Sequence, residues 1–147
     1  NNINPEAIYS EENVCFTSSI YSLIHDDPIE LKFLCSVFNS ILIQFYCTYA
    51  INNQKNTTIN LNQYMIRHIP IVKASKQIKS SLAKNVDKLL LLFKENKDDS
   101  FEKVKELIQE IDNKIFNLYY IDEIEKKQII FDMANQIKHF GNYYLKF

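Results

Sequence analysis

The sequence predicts a mainly α chain with a small β part, an α+β fold. Three observations carry that expectation. Long segments place apolar residues at three- and four-residue steps, the spacing of one helix face. One early stretch, "VCFTSSIYSLIH" at residues 14–25, is instead rich in β-branched and aromatic residues and reads as a strand or strand pair. Across 147 residues, 46% apolar and 24% charged content belongs to a globular chain with a core to bury. The expected order is N-terminal strand or strands, a buried helix, a polar loop, a helical hairpin and a final helix, with residues 1–73 forming one part and 74–147 a C-terminal helical region packed on it.

Each element has a local reason. In "DDPIE", Asp27 suits a helix N-cap because its carboxylate can accept orphan backbone N–H groups. Pro28 suits the first helical position, and Glu30 completes a D-x-x-E capping box. Leu31, Leu34, Phe38, Ile41, Phe45 and Tyr49 then recur at helical spacing, so residues 28–50 are expected as one amphipathic helix. Phe33, Val37, Leu42, Ile43 and Tyr46 lie off that stripe and imply burial on most sides. "INNQKNTTIN", residues 51–60, cannot hold a core and reads as a loop. In "LNQYMIRHIPIVK", Pro70 pushes His68 and Ile69 out of the helical region and makes the Ile69-Pro70-Ile71 piece extended.

Helical periodicity returns at Ser75. Ile78, Leu82, Val86, Leu89 and Phe93 share a face, and "KENKDDS" ends it. Asp99 with Glu102 offers a second capping box. Phe101, Val104, Ile108, Ile111, Ile115 and Leu118 follow as a heptad-like seam, the pattern of two helices lying side by side. Asp122 with Glu125 starts a last helix through Ile129, Met133, Ile137 and Phe140. Gly141 stands where a helix C-cap favours glycine, with Lys138 and His139 near the negative end.

Composition narrows the function classes. No run of 18 apolar residues is present, so no membrane span is expected. The opening "NNINPEAIYS" has neither a starting Met nor a signal-peptide pattern, as expected of a piece of a longer protein. Cys15, Cys35 and Cys47 are odd in number and lack CxxC spacing, which argues for free thiols in a reducing cytoplasm. One Gly in the whole chain excludes a phosphate-cradling loop or a dinucleotide fingerprint. His25-Asp26-Asp27 has no matching ligand spacing from His68 or His139, and the cap already accounts for Asp27. The charge is uneven. Residues 1–60 hold two Lys against six acids, residues 61–97 eight Lys/Arg against two acids, and residues 98–147 seven Lys against ten acids.

The loop residues Asn53, Gln54, Lys55, Asn56, Thr57 and Thr58 offer donors and acceptors with little structural reason. Asn and Gln can pair two-pronged with adenine, and Lys can reach guanine or phosphate. Lys73, Lys76, Lys79, Lys84 and Lys88 could contact phosphates. On composition alone an ordinary polar loop and a solvated helix face account for both sets.

The order of motifs adds more. "CFTSSIYSLIHDDPIELKFLCSVFNSILIQFYCTYA", then "LNQYMIRHIPI", then "EIDNKIFNLYYIDEIEKKQII" at residues 110–130, resembles the TaqI-like C-terminal specificity domains of adenine-specific DNA methyltransferases and type II restriction–modification enzymes. The resemblance covers about residues 9–132. Phe38 stands where Leu is usual, Val72 where a second Pro is common, and Tyr120 where the family often has Gly. The resemblance implies that residues 1–73 are part of a target-recognition domain for double-stranded DNA. It implies Asn53–Thr58 reading bases and Lys73, Lys76 and Lys79 contacting phosphates, while the "IPI" element returns the chain to the framework with Arg67 and His68 outward. No catalytic motif and no metal site is recognisable, so this chain alone is not expected to be an enzyme. S-adenosylmethionine and adenine-N6 transfer are expected in a catalytic methyltransferase domain of the same polypeptide. Two rivals are a specificity subunit of a multi-subunit restriction system and a helical protein-interaction module.

Overall fold

The structure is a computed structural model describing residues 6–12, 14–16, 20–51, 63–95 and 100–136. Among these residues the elements are α1 (Pro28–Asn39), α2 (Ile41–Tyr46), a π-helical turn (Cys47–Ile51), α3 (Gln63–Arg67), α4 (Lys76–Glu95), α5 (Ser100–Leu118) and α6 (Glu123–Gln136). The chain is mainly helical, as expected, but the β part is not. Residues 14–16 and 20–25 form no strand, and Val14, Phe16, Ile20, Tyr21, Leu23 and Ile24 stay exposed. The physical reason is pairing: a strand needs a neighbour for its N–H and C=O groups, and helices use their own internally.

Asp27 caps α1 as predicted, its Oδ1 accepting the Ile29 N–H at 2.9 Å. The rest of the expected box is not made. The Asp27 N–H donates to His25 Nδ1 at 3.0 Å, and the Glu30 carboxylate receives Lys79 of α4 instead. A full cation is a stronger partner for a carboxylate than a backbone amide.

The helix expected over 28–50 breaks at Ser40, which is extended at φ −67° and ψ 146°. Its hydroxyl donates to Val37 O at 2.7 Å and accepts the Ile43 N–H at 3.3 Å, while its own N–H bonds Val37 O at 3.1 Å. One residue thus closes α1 and opens α2. The two segments meet at a 53° bend. The bend rephases burial: Phe33, Val37, Ile41, Ile43 and Cys47 are deepest, while Leu34, Phe38 and Phe45 are only partly buried and Tyr49 is exposed. No single helix among the described residues is long and apolar enough to cross a membrane; the bent pair passes by length and composition, but its apolar side chains line the core.

The helix α1 packs on α4, α4 on α5, and α2 on both α5 and α6. Ser75 caps α4 through the Ile78 N–H at 3.3 Å. Leu82 and Val86 are buried, whereas Phe93 at the far end of the predicted stripe is exposed. The α5 seam buries Val104, Ile111 and Ile115 and leaves Phe101 exposed. The last capping box is complete: Asp122 Oδ1 accepts the Ile124 and Glu125 N–H groups at 2.8 Å each, and Glu125 Oε2 accepts the Asp122 N–H at 3.1 Å. Ile129 and Met133 of α6 are buried. The expectations for Asp99, Ile137, Lys138, His139, Phe140 and Gly141 lie outside the described residues.

Past Leu118, α5 ends in a Schellman motif. The Tyr120 N–H bonds Asn117 O at 3.2 Å and the Ile121 N–H bonds Phe116 O at 3.0 Å. Tyr120 sits at φ 57°, the one non-glycine residue with positive φ among those described. Ile121 and Phe116 both join the core. That core is one cluster, drawing Phe33, Val37, Ile41 and Ile43 from α1 and α2, Ile69 from the "IPI" element, and Leu82, Ile111, Ile115, Phe116, Ile129 and Met133 from α4 to α6.

Candidate nucleic-acid interface

Asn53, Gln54, Lys55, Asn56, Thr57 and Thr58 lie outside the described residues. What the structure places is the pair of limbs on either side of them. The incoming limb is α2 and the π turn to Ile51. Its start is held from α5, because buried Asp112 accepts the Ile41 N–H through Oδ1 at 2.9 Å. A carboxylate at a helix N-terminus meets both an orphan donor and the positive end of the peptide dipoles. Along this limb Thr48 Oγ1 donates to Gln44 O at 2.8 Å, and the exposed Tyr49 ring lies 4.7 Å from Phe45.

The returning limb is α3, a turn, and the extended Ile69–Val72 stretch. Met65 and Ile69 are buried and act as its anchors, while Ile71 is 41% exposed. Tyr119, at the end of α5, clasps this limb. Its hydroxyl donates to Pro70 O at 2.7 Å and accepts the Val72 N–H at 3.4 Å. Burial pushes the Tyr119 phenol up from its ordinary pKa, against the pull of the Val72 amide.

The outer side of α3 is polar and aromatic. Arg67 and His68 are exposed, as read from the sequence. The exposed Tyr64 ring lies 4.0 Å from the His68 ring, and His68 Nδ1 is 2.7 Å from Tyr64 O. Further along, Lys73 and Lys76 are exposed and form no ion pair with another described residue, and the same holds for Arg67 and Lys84. Lys79 differs from its two neighbours. Its ammonium is paired with Glu30 and lies 5.2 Å from the Phe33 ring centre, half-buried between α4 and α1. A phosphate would have to displace Glu30 to reach it. Lys88 is likewise exposed and in no ion pair with another described residue, whereas Lys32 meets Asp87 at 2.7 Å, which raises its pKa, and Lys114 meets Glu110 at 2.7 Å, which lowers the Glu110 pKa.

Other candidates resolve into structure. His25 accepts a backbone amide at the start of α1. Cys15, Cys35 and Cys47 are free, and burial pushes the Cys47 thiol up to about 11. Among the described residues no three His, Cys, Asp or Glu side chains gather as metal ligands would. Sequence reasoning missed Asp112 and Tyr119. Asp112 did carry a signal, since an acid beside Ile111 and one turn from Ile115 interrupts an apolar seam and calls for a buried partner.

Comparison with known proteins meets this geometry in the first part of the chain. Residues 1–71 match the family model of the TaqI-like C-terminal specificity domain. That part of the chain is similar to a TaqI-like specificity domain. The match takes in α1, the Ser40 break, α2, the polar loop, α3 and the returning Ile69-Pro70-Ile71 element, and it suggests a DNA-recognition role in a restriction–modification enzyme. The resemblance noted for residues 110–130 lies beyond the matched stretch. No curated protein and no solved structure matches the chain.

Proposed function

We propose that this chain is the target-recognition piece of a type II restriction–modification enzyme whose parent polypeptide is an adenine-N6 DNA methyltransferase, and that it reads duplex DNA through residues 53–58. The observation that carries the reading is the specificity-domain match over residues 1–71. Three features support it physically. The loop is rich in Asn, Gln, Lys and Thr, the side chains that pair with base edges. Its two limbs are fixed to a rigid helical frame, which limits the ordering cost when DNA binds. Arg67, Lys73 and Lys76 follow it in the chain, exposed and without carboxylate partners among the described residues, as phosphate contacts require.

In this reading Asn53, Gln54 and Asn56 read base edges, Lys55 reaches a guanine or a phosphate, and Lys73 and Lys76 fix register on the backbone. Lys79 serves the α1–α4 contact instead. The chain has one glycine and so lacks the close-approach loop that a methyl-donor cradle needs. S-adenosylmethionine and the transfer step therefore belong to a catalytic domain elsewhere in the parent, in the cytoplasm. A gel-shift titration over salt and sequence tests the proposal. Binding should fall steeply with salt, Lys73→Ala and Lys76→Ala should each reduce the slope by about one unit, and Asn53→Ala and Lys55→Ala should change which duplex is preferred. Unaltered affinity and target choice in the two loop variants would remove the loop from the interface.

A further inference from the structure

We infer that α5 is a clamp on both limbs of the recognition loop, with Tyr119 the positioning residue that sets how the loop is presented to DNA. The inference rests on the DNA-reading role proposed for residues 53–58. Its observations stand apart from that role. Asp112 holds the start of the incoming limb through the Ile41 N–H at 2.9 Å, and Tyr119 holds the returning limb through Pro70 O at 2.7 Å and the Val72 N–H at 3.4 Å. Asp112 and Tyr119 lie seven residues apart on and just past one helix, so the two attachments share a single rigid element about 10 Å long between them.

Geometry assigns the two residues different duties. Asp112 is buried and faces a helix terminus, so its loss would perturb α2 and the core together. Tyr119 is half-buried, and its ring packs against the core while its hydroxyl reaches out to Pro70 and Val72 of the returning limb. Pro70 lacks an N–H, and its carbonyl sits in no helix or strand. Beside the buried Ile69 side chain, the Tyr119 hydroxyl makes the hydrogen bond that ties that peptide to the frame. Tyr119→Phe keeps the ring and its packing and removes only the tie. Base reading depends on placing Asn and Gln groups to within a fraction of an ångström, so a looser root should blur discrimination before it reduces phosphate-driven binding.

The test compares the full chain with Tyr119→Phe, using Tyr120→Phe as control. Tyr120 is 90% exposed and makes no such tie, so the same loss of a hydroxyl one residue away should be silent. The probes are a duplex selected by the wild-type chain from a pool with a randomised centre, and a scrambled duplex of equal length at the same salt. Backbone amide exchange is followed without DNA. In Tyr119→Phe we expect exchange in residues 69–73 to rise at least about fivefold, since the bond to Pro70 O and the longer one from the Val72 N–H are both lost, with α1 and α4 unchanged. The ratio of affinities for the selected and scrambled duplexes should shrink by a similar factor, with the scrambled affinity unaltered. Unchanged discrimination in Tyr119→Phe overturns the inference while leaving DNA reading intact, as does reduced discrimination without faster exchange. A wild-type chain that prefers no duplex overturns the DNA reading itself, and the inference with it.

Discussion

Replacing Ser40 by Ala separates two accounts of residues 28–50 by the sign of its effect. In a continuous helix Ser40 would be an interior residue, and Ala, the better helix former, would stabilise by about 0.5 kcal/mol. In the structure Ser40 is 1% exposed and joins two helices at the 53° bend. Its hydroxyl accepts the Ile43 N–H and donates to Val37 O. Removing it leaves a buried donor unpaired and deletes an N-cap, which together lie toward the upper end of the capping range, about 2 kcal/mol destabilising. For a chain of this size that is a fall in Tm of about 6 °C. Urea unfolding followed by circular dichroism measures both the midpoint and the slope, and the slope should stay constant because the same surface unfolds. An Ala variant equal to or more stable than the parent would refute the break.

Four further outcomes follow from the same contacts. Tyr120→Gly should stabilise by about 0.5–1 kcal/mol, since φ 57° is costly for a residue with a Cβ and the exposed ring packs on little; thermal unfolding reads this. Ile115→Ala, at a fully buried seam position, should cost about 4 kcal/mol in the same urea assay. Iodoacetamide at pH 8 should label exposed Cys15 and spare Cys47, whose thiol is buried with a pKa of about 11, as peptide mapping would show. The Tyr119 phenol has a folded pKa raised by burial, so its contribution to stability is fully present below the unfolded value of about 10 and declines as pH rises through the higher folded value; Tyr119→Phe should flatten that alkaline decline.

Helix existence was legible where apolar periodicity and end signals agreed. Asp27 and Asp122 each cap the helix that follows, because a short polar side chain before an apolar-periodic run has one favourable use. The Ser40 break was not legible. A lone Ser inside a helical pattern is compatible with either state, and what decides it is a carboxylate 72 positions later, Asp112, waiting for the Ile41 N–H. The β reading of residues 14–25 failed for a related reason. Its β-branched and aromatic residues express a preference for a pleated, paired surface, and pairing is a property of the neighbour. Within the site, the family resemblance put Arg67 and His68 outward, and the sequence offered Lys73 and Lys76 as phosphate contacts. It could not tell Lys79 from them, because Glu30 lies 49 positions away and only the α1–α4 packing brings it close.

The common interior has a consequence for any attempt to trim the molecule. A polypeptide stopped at residue 71 would retain Phe33, Val37, Ile41 and Ile43 and lose Leu82, Ile115, Phe116 and Met133, against which they lie. Each stranded side chain would face water at a penalty of about 1.5–3 kcal/mol, enough in sum to exceed the stability of an ordinary domain. The stretch that carries the family's imprint is thus not a self-sufficient fragment, and transplanting its DNA preference onto another scaffold would require carrying α4 to α6 along with it.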